Sequence, residues 1–151
     1  MSKKAIAKAE EIIQSKTAEV NMGAGVTLSL LDQDGYPTTS TLSIAKADGI
    51  RQITFGGGLA GNKAKRAKAD GRACVCIFDD DFAGDAYYNI TLVGDIEVAT
   101  DAEMKKDTWY AGLEEHFPDG VDDPNYCVLK FTTKRYNIWV DMEEDEVVGS
   151  F

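Results

Sequence analysis

Apolar and polar positions along this chain keep two different periods. Between residues 2 and 20, Ile6, Ala9, Ile13 and Val20 recur at helical spacing among Lys, Glu and Gln, which predicts an amphipathic N-terminal helix over 2–20. From Val26 the period shortens. "VTLSLL" reads as a strand, "DQDGYP" carries an Asp-Gly turn signal, and "TTSTLSIA" follows as a second extended run that pairs with the first as a hairpin. "ADG" at 47–49 is a further turn and "IRQITF" a third strand. After a glycine-rich corner and a basic helix, "RACVCIF" is a buried-looking strand and "AYYNITLVGDIEVA" a long alternating one, with Gly94 marking a bulge or bend. Thr100 and Glu103 form a capping box for a second amphipathic helix carrying Met104, Trp109, Leu113 and Phe117. "YCVLKFTT" and "YNIWVDM" then form a last pair of strands across Lys134-Arg135, and an acidic tail over 142–151 reads as solvated and poorly ordered. Strands follow one another through tight turns and do not alternate with helices. The pattern predicts a mainly β protein of the α+β class: one domain over 1–151, a six- to seven-stranded antiparallel barrel with flanking helices.

The corner itself, "GGGLAG" at Gly56–Gly61, fits G-x-G-x-x-G letter for letter, with Asp79 about 20 positions further on. A dinucleotide fold nevertheless needs alternating strand and helix, and three hairpin-linked strands precede these glycines. The following helix offers only Ala64, Ala67 and Ala69 for packing. A P-loop fails as well, because Asn62 intervenes before Lys63 and Ala64 has no hydroxyl for a metal. The physics shared by both motifs survives them: glycines admit close backbone approach, and a helix start with Lys63 in its first turn attracts a phosphate. A flexible turn leading into a solvated basic helix fits the same letters.

Charge sharpens this picture. Lys and Arg number 16 against 26 Asp and Glu, a net charge of −10, which opposes general affinity for nucleic acid or an anionic membrane. Yet Lys63, Lys65, Arg66, Lys68 and Arg72 gather directly after the glycines, and without interleaved aromatics they make a local anion site and not a stacking surface for nucleic acid. No apolar stretch approaches a membrane span, and "MSKKAIAKAEEIIQ" lacks the apolar region of a signal peptide, so the expected location is cytoplasmic. Cys74, Cys76 and Cys127 form no C-x-x-C; the first two share a strand face and read as small core residues. His116 is the only histidine and reads as structural or solvent-facing, so no imidazole cluster for metal or triad chemistry can be assembled. "DDDFAGD" lacks a calcium loop's ligands at Ala83 and Ile90. Trp109 reads as core, and Trp139 either as core or as a cofactor neighbour.

The order of "DGYPTTSTLSI", "ITFGGG", "GNKAKRAKADGRACVCIFDD", "YNITLVGDIEV" and "KFTTKRYNIWV" resembles the pyridoxamine 5′-phosphate oxidase-like family of FMN-binding split β-barrels, from about Val26 to Val140. The most specific part is Lys63 seven residues before Asp70, followed by Gly71-Arg72 and an apolar strand. The resemblance implies a homodimer with FMN at the subunit interface, acting as an FMN-dependent oxidoreductase on a small molecule. A carrier, sensor or store of flavin or haem on the same fold is the alternative, and His116 is the one obvious iron ligand. Carried over position by position, Ser40, Thr41, Leu42 and Ser43 line the cofactor, Gly56 and Gly57 border it, Asn62 and Lys63 contact the phosphate, and Asn89 meets the ring, commonly from the partner subunit. Trp139 packs near the flavin. Three departures stand out: Ser40 where several members carry Arg, Arg66 where the family has Asn, and an end at Phe151 without the Arg-rich motif of true pyridoxamine phosphate oxidases.

Overall fold

A computed structural model describes residues 2–22, 25–79, 87–140 and 146–151. Residues 80–85 of the "DDDFAGD" loop, residue 86, and residues 141–145, which include the start of the acidic tail, lie outside the described residues. Among the described residues, eight strands form one antiparallel sheet that curves into a split β-barrel: β1 Val26–Leu31, β2 Pro37–Thr41, β3 Lys46–Asp48, β4 Gln52–Gly58, β5 Arg72–Phe78, β6 Tyr88–Ala99, β7 Tyr126–Val140 and β8 Val147–Ser150. Their order is β2-β1-β5-β6-β7-β4-β3, with β8 added to β7. Side chains alternate across this sheet. Val26, Leu28, Val75, Ile77, Ile90, Leu92, Phe131 and Ile138 point inward and are buried.

The helices close what the strands leave open. In α1 (Ser2–Ser15), Ala9 and Ile13 are buried one turn apart and face β7. Glu10 accepts a hydrogen bond from the Ile50 amide, and its carboxylate fills the space a Cβ would take at Gly49, whose φ of +56° itself favours glycine. The single helix expected over 2–20 is broken. Ser15 Oγ and Thr17 Oγ1 donate back to the Ile12 and Gln14 carbonyls, a local bond that competes with helix continuation. The Ala18 amide instead donates to Ile44 O, and α2 (Ala18–Asn21) starts afresh with Val20 in solvent. Helix α3 (Asn62–Ala69) packs on β1, β4 and β6 through Ala64 and Ala67, residues small enough to seat its backbone close to the sheet.

Other expectations change at their edges. Helix α4 spans only Ala102–Thr108, and its cap is Asp101, which accepts from the Met104 amide, not Thr100. Gly112, at φ +110°, ends any helical run before Leu113–Glu115 makes a separate 3-10 turn. Leu113 and Phe117 then cluster with Tyr126 and Val128. The expected last hairpin is one continuous strand, β7. Val93 pairs with Arg135 and Gly94 with Thr133, so Lys134 is the extra residue of a bulge. What reads as a polar turn is therefore a bulge on β7, placed opposite Gly94, where a Cβ would run into Thr132 O. The tail is also partly ordered: β8 pairs with β7 from Arg135 to Ile138, and the Arg51 guanidinium lies over the Phe151 ring at 4.6 Å.

Candidate functional site

Two groups of expected residues occupy two sides of the edge strand β2. Ser40 lies opposite Leu28 and Thr38 opposite Leu30, on the inward side. Thr41 and Thr39 lie opposite Thr27 and Ser29, on the outer side, where the Ser29 and Thr39 hydroxyls are 2.8 Å apart. A ligand touching both Ser40 and Thr41 therefore lies along the free edge of β2. Leu42 and Ser43 continue the chain beyond it, both half-buried; the Leu42 amide donates to Val26 O.

The inward group meets α3 where Thr38 touches Arg66. Gly61 is the N-cap and brings no side-chain acceptor, and the first intrahelical bond is Lys65 N to Gly61 O. The amides of Asn62, Lys63 and Ala64 thus precede the helical ladder and face an incoming acceptor with the positive end of the helix dipole. Asn62 is exposed and Lys63 half-buried. The five local cations divide by environment. Arg72 is engaged by Asp70 at 2.7 Å, a contact that holds the Asp70 carboxyl down to about 2. Lys65 and Lys68 are exposed. Lys63 and Arg66 are half-buried and have no ion pair among the described residues. Arg66 Nη1 donates to Thr38 Oγ1 at 3.1 Å, and Thr38 Oγ1 donates onward to Leu30 O.

The glycines do something other than expected from a flexible loop. None of Gly56, Gly57, Gly58 or Gly61 has positive φ. Leu113 stands 3.1 Å from where a Cβ of Gly56 would lie, Leu129 at 3.1 Å from that of Gly57, and Asn125 at 3.1 Å from that of Gly58. Their small size admits the protein's own side chains. Asn125 pins the corner, its backbone carbonyl accepting from the Leu59 amide and its Oδ1 from the Ala60 amide. Sequence reasoning missed Asn125, which sits in the loop "PDGVDDPN", and it missed Thr38, although Thr38 is one pleat period from Ser40.

On the outer face, the pairing register sets Thr41, Thr27, Cys76, Thr91 and Asn137 in one row across β2, β1, β5, β6 and β7. Asn89 is on the same face, its Oδ1 accepting from Thr91 Oγ1 at 3.3 Å with Cys76 Sγ at 3.9 Å. Trp139 is its cross-strand neighbour and packs edge-on against Tyr87, centroids 5.1 Å apart. From Thr41 to Thr91 is three strand spacings, about 14 Å. Cys74 and Cys76 do share a face, but it is this outer one; Ala73, Val75 and Ile77 take the core positions. Burial is the main cause raising both thiols above their ordinary range. His116 is exposed beside Phe117, in the cluster at the Tyr126 end of β7, whereas Trp139 is at the other end. A cleft of about 220 Å³ lies elsewhere, where Gln52 and Thr54 of β4 face Met104 and Thr108 of α4, and includes none of the expected site residues.

Comparison with known proteins adds to this geometry. A sequence model described as pyridoxamine 5′-phosphate oxidase like matches residues 8–149. A protein from Clostridium acetobutylicum related to general stress protein 26, of the pyridoxinephosphate oxidase family, superposes with a TM-score of 0.79 at 23% identity, over 100% of this chain and 97% of its own. General stress protein 26 from Bacillus anthracis superposes at 0.72 with 13% identity, covering 99% of this chain and 98% of that one. A heme binding protein from Mycobacterium smegmatis superposes at 0.66 with 18% identity, over 94% of this chain but 57% of its own length. Among curated proteins, none matches the sequence. Among the described residues no helix is long and apolar enough to cross a membrane, and no group of three or more His, Cys, Asp or Glu could hold a metal ion.

Proposed function

This chain belongs to the pyridoxamine 5′-phosphate oxidase-like family, and on that premise we propose that it is an FMN-binding flavoprotein, an FMN-dependent oxidoreductase acting on a small molecule as a homodimer. The observation that carries the reading is the half-buried Lys63 beside the uncapped amides of Asn62, Lys63 and Ala64, on a helix whose Arg66 reaches the side of β2 that also carries Ser40. The donor set suits a phosphomonoester: a cation, backbone amides at a helix start, and hydroxyls, with the nearby Asp70 carboxylate turned to Arg72. The outer face suits the ring system, with the Asn89 amide and the Trp139 and Tyr87 rings grouped together.

When bound, FMN supplies the electron or hydride transfer. The chain's own part is placement. Lys63 and the α3 amides fix the phosphate end, and the β2 edge at Thr41, Leu42 and Ser43 sets the path from the inward to the outer side. Cys74 and Cys76, their pKa raised by burial, stay protonated at neutral pH and do not act as bases. The outer face between these points is uncharged and made of Thr27, Ser29, Cys74, Cys76, Thr91 and Val93, half-buried though outward-pointing. A second copy seated there closes the groove and brings its own Asn89 to the ring. A haem-binding reading is weaker for this chain because His116 lies at the far end of β7 from Asn89 and Trp139.

The test is the visible spectrum of the purified protein, followed by reduction under anaerobic conditions. Flavin absorption that bleaches with NADH or NADPH is the expected result. A Soret band would replace FMN by haem, and flavin inert to every reductant would favour a carrier. Lys63→Ala weakens FMN binding by about 1.5–3 kcal/mol; unchanged affinity in a fluorescence titration removes Lys63 from the site.

A further inference from the structure

We infer that Arg66, placed by α3 against β2, is the second cation of the phosphate subsite and the residue that makes this chain select the phosphorylated flavin over riboflavin. The inference rests on the flavin reading above and assigns a role to one more side chain.

Lys63 and Arg66 are three apart on α3 and so share one face of the helix. Helical side chains lean towards the helix start, so the Arg66 side chain extends back over the turn that Lys63 heads. Its direction is fixed by contact: Nη1 donates to Thr38 Oγ1 at 3.1 Å. Thr38 and Ser40 share the inward side of β2, so the guanidinium lies on the same side of the strand as Ser40. Arg66 thus links the helix face that carries Lys63 to the side of β2 that carries Ser40.

The electrostatics of this placement are unbalanced within the chain. In a protein with 26 acidic residues, Arg72, Lys130 and Lys134 each meet a carboxylate. Arg66, less exposed than Arg72, meets a neutral hydroxyl that is already committed to Leu30 O. A guanidinium has five N–H donors, and one of them makes the Thr38 contact. Like charges three apart on a helix also repel. Two half-buried cations on one face without a carboxylate are stabilised by a shared dianion, and a phosphomonoester offers three acceptor oxygens to them. Thr38 then acts as the rest that aims the guanidinium.

The experiment compares FMN with riboflavin, which differ only in the phosphate, by fluorescence titration of the wild-type protein, Arg66→Asn and Arg66→Lys, with thermal melting as the check on folding. Arg66→Asn should lose about tenfold to a hundredfold in FMN affinity with riboflavin affinity unchanged. Arg66→Lys, which keeps the charge but not the forked donors, should give an intermediate FMN-to-riboflavin ratio. If Arg66→Asn does not fold, that ratio in Arg66→Lys decides. An equal loss for both flavins would make Arg66 a strut between α3 and β2, and an unchanged ratio would place it outside the subsite; either overturns the inference alone. Wild-type protein that binds neither flavin overturns the flavin reading and this inference with it.

Discussion

Cys74 and Cys76 show how one residue's chemistry follows from the side of the sheet it occupies. The alternation of β5 places Ala73, Val75 and Ile77 inward, so the cysteines between them stand outward and half-buried. Partial burial disfavours the thiolate and raises both groups, while Cys127, fully buried on β7, is raised for the same reason. The thiolate is the nucleophile. Iodoacetamide at pH 7 is therefore expected to modify Cys74 and Cys76 more slowly than free cysteine and to leave Cys127 untouched in the folded protein, as read by mass spectrometry of the digest. Alkylation at the free-cysteine rate or faster would contradict this. Asp70 is shifted the other way. Its carboxyl, held by Arg72, stays ionised until the pH falls towards about 2, so the pair persists through the range in which ordinary aspartates protonate.

Among the elements, the long pair β6 and β7 decides the shape of the barrel. β7 runs through fifteen residues without a turn, and the bulge at Lys134 lets it bend while Gly94 opposite leaves room for the Thr132 carbonyl. Gly94→Ala sets a Cβ against backbone on the partner strand, at 3.0 Å from Thr133 Cα with Thr132 O nearer still. Neither atom can swing away as a side-chain end would. The expected cost is about 3 kcal/mol or more, seen as a melting temperature lower by about 10 °C. A variant that melts with the wild type would show that the two strands separate easily there. The same element explains why the chain reads as a hairpin near Lys134-Arg135: two adjacent cations among threonines look like a turn, and a bulge has no pattern of its own in the letters.

At the scale of the whole molecule, the distribution of charge is the telling feature. With a net charge of −10, this chain keeps the centre of one outer sheet face free of charge and lined by small side chains. Covering that face with a second copy would exclude water from it and complete a groove between the β2 edge and Asn89. Sedimentation should give twice the 16.4 kDa chain mass, and Cys76→Arg, which places an uncompensated charge between Thr27 and Thr91 in the middle of the face, should give a folded monomer with weakened flavin binding. A wild-type monomer that still binds FMN with full affinity would refute the shared site.

The letters by themselves determined the mainly antiparallel barrel, the helix after the glycines and the cationic cluster on it, because period, turn residues and charge are local properties that survive without partners. They also placed Lys63 at a helix start. Packing decided the rest: that Gly56, Gly57 and Gly58 accommodate Leu113, Leu129 and Asn125, that β3 and β8 join the sheet, and that Cys74 and Cys76 face outward. It also brought Arg66 of α3 to Thr38 of β2, 28 residues apart. Contacts of that kind depend on which faces meet after the chain has closed, and no spacing along a single segment encodes them.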